Sequence, residues 1–128
     1  MSRLLAVALV LLAACGGGKA KEGKLSPQAA RGERLVEEKG CLSCHSTDGS
    51  KGTGPTWKGL AGSRVKLTDG TEVTADADYL RRSILDPDAQ TVAGFPPGLM
   101  ASVIRPGTVT PDEADAIVTY IQSLSDGS

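Results

Sequence analysis

Two cysteines three positions apart, followed at once by a histidine, constrain this chain more than any other feature: Cys41-Leu42-Ser43-Cys44-His45. C-x-x-C-H is the attachment signal of a c-type haem. Two thiols on one helical turn can form thioethers to a porphyrin edge while the next imidazole points at the iron. The composition sharpens the reading. His45 is the only histidine, Met100 is the only methionine apart from Met1, and the only other cysteine is Cys15. If haem binds through this motif, His45 is the fifth iron ligand by elimination. Met100 is the best candidate for the sixth, because His/Met ligation is a standard way to hold an electron-transfer haem.

Three other chemistries use closely spaced cysteines. A thioredoxin-like pair expects a strand before the motif and βαβ units around it, whereas a polar, helix-like segment leads in here. A structural zinc site needs four ligands, and none remains once Cys15 is set aside. A plain disulfide between Cys41 and Cys44 is the bland alternative.

The N-terminus reads as a targeting signal. Arg3 supplies the positive start, and Leu4 to Leu12 is an apolar run of signal length, too short to span a bilayer. Leu12-Ala13-Ala14-Cys15 resembles the lipobox of bacterial lipoproteins, in which cleavage precedes an acylated cysteine. The alternative is an ordinary signal peptide cut elsewhere. The expected organisation is a signal over residues 1–14, then an acylated Cys15 and a Gly- and Lys-rich flexible tether over 15–26. A single domain follows over 27–128. No other segment is apolar enough to cross a membrane, so the domain is expected on the periplasmic or outer side of a bacterial membrane, held there by lipid. Loss of Arg3 with the signal leaves 13 basic against 15 acidic residues. That near-balance excludes a basic field suited to nucleic acid.

Four aromatic residues, Trp57, Tyr79, Phe95 and Tyr120, serve the whole domain. A chain this small struggles to bury enough apolar surface alone, and a covalent haem would complete its core. Three main helices are predicted. The first begins with Ser26 as N-cap and Pro27 at the first position, runs to about Lys39, and places Gly32, Leu35 and Val36 on one face. The second spans about Ala75 to Leu85, capped by Thr74, with Ala77, Leu80 and Ile84 buried. The third opens on the capping box Thr110-Pro111-Asp112-Glu113 and repeats Ala114, Ile117, Val118, Ile121 and Leu124 at helical spacing. Tyr120 is a plausible partner for the groove at Gly32. Val65 to Thr74 reads as a small hairpin around Asp69-Gly70, with Leu67 opposite Val73 and a bulge at Gly70. The Gly- and Pro-rich stretch from Asp86 to Gly107 reads as an irregular loop that delivers Met100.

This order of elements resembles a class I cytochrome c: an all-α fold around one covalent haem, here with a small β-hairpin insert. The nearest resemblance is to the cytochrome c domain fused to subunit II of some bacterial haem–copper oxidases. It rests on Lys39-Gly-Cys-Leu-Ser-Cys-His45, Gly54-Pro-Thr-Trp-Lys-Gly-Leu60, Leu67-Thr-Asp-Gly-Thr-Glu-Val-Thr74, Ser83-Ile-Leu-Asp-Pro87 and Gly94-Phe-Pro-Pro97. The resemblance implies thioethers from Cys41 and Cys44, His45 as proximal ligand, a Pro55 carbonyl orienting that imidazole, and Met100 as distal ligand. Two features depart from the family pattern. Ala101 follows Met100 where proline is usual, and neither the copper domain nor the membrane anchor of the oxidase subunit is present.

The expected function is therefore a free-standing, monomeric electron carrier without substrate turnover. Redox proteins are its partners: a quinol-oxidising complex as donor and a terminal oxidase or reductase as acceptor. Trp57 is expected either at the haem edge or as a plain core aromatic. Lys51 and Lys58 are either a docking patch or simply solvated. A gas- or peroxide-binding protein with a labile Met100 is the alternative in function, although no second histidine exists to act as acid or base.

Overall fold

The computed structural model describes residues 23–125. The expected signal, Cys15 and most of the tether lie outside the described residues. Helix α1 spans Pro27–Glu38 and starts as its sequence dictates. The Ser26 hydroxyl accepts the Ala29 N–H at 3.1 Å, and Pro27 occupies a position where no N–H is needed. It ends at Gly40, whose φ of 72° costs only a glycine little. A single 3₁₀ turn over Cys41–Ser43 follows.

Helix α4, Pro111–Ser123, carries the full capping box. Glu113 N–H donates to the Thr110 hydroxyl, and Thr110 N–H donates to the Glu113 carboxylate at 2.8 Å. Helices α1 and α4 pack on each other, and Ala116 and Tyr120, buried but outside the predicted stripe, form α4's side of the crossing at Gly32. Gly32 is buried at the crossing, where an added Cβ would collide with the Ala116 carbonyl and come within 2.8 Å of Tyr120 Cβ. Tyr120 is thus a partner of Gly32, and the backbone of Ala116 comes closer still.

Between them lie a two-stranded antiparallel ribbon, β1 (Arg64–Lys66) and β2 (Glu72–Thr74), and helix α2 (Ala77–Leu85). Two expectations need correction here. The register pairs Val65 with Val73 and leaves Leu67 facing Thr71, not Val73. Leu67 finds its apolar partner elsewhere, in an isolated bridge to Val92. Helix α2 is capped by Asp76, which accepts the Tyr79 N–H at 2.8 Å, and not by Thr74. Ala75 cannot join the helix because it extends the ribbon: its N–H donates to Ser63 O and its carbonyl accepts from Gly62, both at 2.9 Å. Tyr79 is accordingly buried with Leu80 and Ile84, while Ala77 is exposed.

The stretch from Asp86 to Gly107 is irregular as expected, except for one short helix, α3 (Leu99–Val103), that carries Met100. The architecture is thus four helices with one small ribbon. A single apolar cluster joins α1, α2, α4, β1, Trp57, Ile104 and Val109, and no polar residue is buried among the described residues.

The first turn of α4 is tied to both other long helices. Asp112 pairs with Arg31 at 2.8 Å, Glu113 with Lys39 at 3.2 Å, and Asp115 with Arg81 at 2.7 Å. The hydrogen bond from Thr110 N–H, then the Lys39 ammonium, hold the Glu113 carboxyl below the usual glutamate range. A depressed folded pKa gives stability that is complete above the unfolded value and is lost as pH falls through the folded one. Thermal melts between roughly pH 3 and 7 should therefore show an acid decline beginning near the ordinary glutamate pKa. Glu113→Gln should remove part of that decline and leave the neutral-pH difference small, because the ion pair is peripheral.

Candidate haem site

The site is built largely from one contiguous stretch. α1 runs into Lys39-Gly40, and the 3₁₀ turn then presents Cys41 and Cys44 as free, partly buried thiols. They are not joined in a disulfide. Burial pushes the Cys41 thiol up from its ordinary value. The chain next loops out and returns, stitched by Gly54 N–H to Cys44 O and Trp57 N–H to Ser46 O, both at 2.8 Å. Thr56 braces the loop, its hydroxyl donating to Ser46 O and accepting the Gly49 N–H.

This return boxes in His45. Its Nδ1–H donates to the Pro55 carbonyl at 2.7 Å. The Trp57 ring stacks on the imidazole with centroids 4.9 Å apart and planes 20° from parallel. Gly54 abuts the same ring, where an added Cβ would lie 2.7 Å from Cε1 and 3.0 Å from Nδ1. Burial lowers the His45 pKa, against a smaller raising effect of the Pro55 hydrogen bond, and so favours the neutral ring. With Nδ1 committed as a donor, Nε2 keeps its lone pair, the arrangement a ligating histidine needs.

The structure thus gathers His45, Pro55 and Trp57. It places Trp57 in the core, 5% exposed, with its ring on the imidazole. Met100 arrives on a separate element, α3, and packs partly buried against the same apolar cluster as Cys41. Lys51 and Lys58 are exposed. Exposed apolar side chains, Leu42 (42%), Leu99 (39%) and Val103 (60%), lie on the two elements that carry the cysteines and Met100. The role of Gly54 was not read from sequence. Its only signal is its place before Pro55, which gives no hint of close approach to a ring.

This donor set fits a c-type haem: two free thiols, a neutral imidazole oriented through Nδ1, and a thioether on α3 that packs against the same apolar cluster as Cys41. Among the described residues no group of three or more His, Cys, Asp or Glu side chains is placed to hold a metal ion. Nor is any described helix long and apolar enough to cross a membrane.

Comparison with known proteins agrees with the geometry. Residues 29–125 match the family model described as cytochrome c. Among solved structures, cytochrome cH from Methylobacterium extorquens is similar, with a TM-score of 0.52 and 26% sequence identity, covering 73% of this chain and 96% of that one. No curated protein matches the chain. The motif, the boxed imidazole, the class I fold and the family match converge: the chain belongs to the cytochrome c family and binds a c-type haem covalently, for electron transfer.

Proposed function

We propose that this protein is a one-electron carrier with a His/Met-ligated haem, exported and tethered by lipid at Cys15 to serve a respiratory chain. The observation that carries the ligand reading is the His45 box: a neutral ring held by Pro55, Trp57 and Gly54 with only Nε2 free to ligate. When bound, the haem supplies a single Fe(III)/Fe(II) couple. Cys41 and Cys44 would hold it through thioethers, and His45 and Met100 would ligate its iron. Trp57 and Pro55 keep the imidazole from rotating, which limits rearrangement when the charge changes. A thioether ligand raises the potential, as does the apolar cluster that Cys41 and Met100 join.

An iron ligated by both His45 and Met100 would offer no site to a substrate, which argues against an enzyme. Leu42, Leu99 and Val103 give the elements that carry the cysteines and Met100 exposed apolar surface. Such a surface suits weak, transient docking of redox partners, with a quinol-oxidising complex as donor and a terminal oxidase or reductase as acceptor. The resemblance to the oxidase-fused domain supports the respiratory setting, and the lipobox-like Leu12-Ala13-Ala14-Cys15 supports export and anchoring.

The test is carbon monoxide titration of the reduced, haem-loaded protein. The closed site should stay unliganded at concentrations that saturate a five-coordinate haem. Rapid tight binding would instead favour a gas- or peroxide-binding role with a labile Met100. The lack of any buried residue in α3 is the observation on that side.

A further inference from the structure

Met100 sits on a weakly held element. None of the five residues of α3 is buried, and its N-cap, Gly98, has no side chain to cap it. Segments with few buried contacts open at low free-energy cost. The loop before it is anchored twice. Its stem is laced to the ribbon: Thr68 N–H donates to Thr91 O and Ala93 N–H to Lys66 O, both at 2.9 Å, beside the Leu67–Val92 bridge. Beyond Ala93 the chain runs through Gly94-Phe95-Pro96-Pro97, and the prolines have no N–H to donate. The second anchor comes immediately before the first turn of α3. Gly98 N–H donates to Asp88 Oδ1 at 3.0 Å, closing a loop between positions ten apart. Asp88 is exposed, and its carboxylate makes no other hydrogen bond or ion pair among the described residues.

We propose that Asp88 is a positioning residue for the distal ligand: its carboxylate latches the loop at Gly98 and so holds α3, and Met100 two residues on, over the haem. The inference rests on the reading of Met100 as sixth ligand. An ionised acceptor makes the stronger hydrogen bond. Because the latch closes the loop next to the ligand, its loss acts on how readily Met100 lets go rather than on the stability of the fold.

The test uses the full, haem-loaded ferric protein and imidazole as a probe that must displace Met100, followed by optical titration. Asp88→Ala should raise the imidazole affinity about tenfold, the scale set by one hydrogen bond. It should also speed amide exchange over residues 98–103 and leave the melting temperature nearly unchanged. Asp88→Asn keeps an oxygen acceptor and should restore most of the wild-type affinity. An equal rise in both variants would assign the effect to lost charge and overturn the latch, and so would no rise in either. Met100→Ala separates the premises: it should raise imidazole affinity far more than Asp88→Ala. If Met100→Ala leaves that affinity unchanged, the distal-ligand reading itself fails and takes the latch with it.

Discussion

Met100→Ala is expected to lower the reduction potential by on the order of 0.2 V, part of the ~0.8 V range over which axial ligands set haem potentials. The near-infrared methionine-to-iron band should vanish with it. The sign follows from the thioether, which favours the reduced state and is replaced by a poorer or absent ligand. The size of the effect reflects how little else is available: His45 is the only histidine of the chain and Met100 the only methionine apart from Met1. Because Met100 is only partly buried against the core, removal of its side chain should cost less stability than truncation of a fully buried residue. A potential and a band both unchanged would move the sixth position to another donor, a lysine first of all.

Gly32→Ala should be the most damaging Gly→Ala substitution among the described residues. The added Cβ would collide with the Ala116 carbonyl and crowd Tyr120 Cβ, and a backbone carbonyl cannot swing aside as a side chain can. The two helices must separate. Overpacking costs about 1–3 kcal/mol, and a forced shift of the backbone belongs at the upper end. The better helix propensity of alanine returns up to about 1 kcal/mol. A net loss of about 2 kcal/mol lowers the melting temperature of a domain this size by roughly 8–16 °C. Function is affected too, because α1 leads directly into the Cys41 turn. A melt within about 2 °C of wild type, well under the shift expected for 1 kcal/mol, would mean that the crossing tolerates the methyl.

What was legible in sequence divides along physical lines. Both ends of α1 and the start of α4 were readable because local chemistry decides them: Ser26-Pro27, the Thr110–Glu113 box, and Gly40 at positive φ. The Gly32 crossing was readable because a small residue within an apolar stripe implies close approach. The haem-attachment motif was readable because thioether chemistry fixes its spacing. The ribbon register was not, since the apolar partner of Leu67 is Val92, from a distant loop, and not the facing strand. The start of α2 was missed because Ala75 is held by tertiary hydrogen bonds to Ser63 and Gly62. Helix α3 is too short for any periodicity to show. Trp57 was placed by sequence only as far as its distance from Pro55; that its ring lies on His45 depends on how the loop folds back.

The box around His45 spans only the residues from Cys44 to Trp57, and its hydrogen bonds link positions ten or eleven apart. Closing so short a circuit costs little chain entropy, and contacts of that kind form early in folding. Met100 lies 55 residues downstream of His45, beyond a loop whose stem is hydrogen-bonded to the ribbon. With Met100 as the proposed distal ligand, maturation is expected to run in order: the imidazole side assembles first, while the opposite face still admits the attachment machinery, and the methionine arrives last.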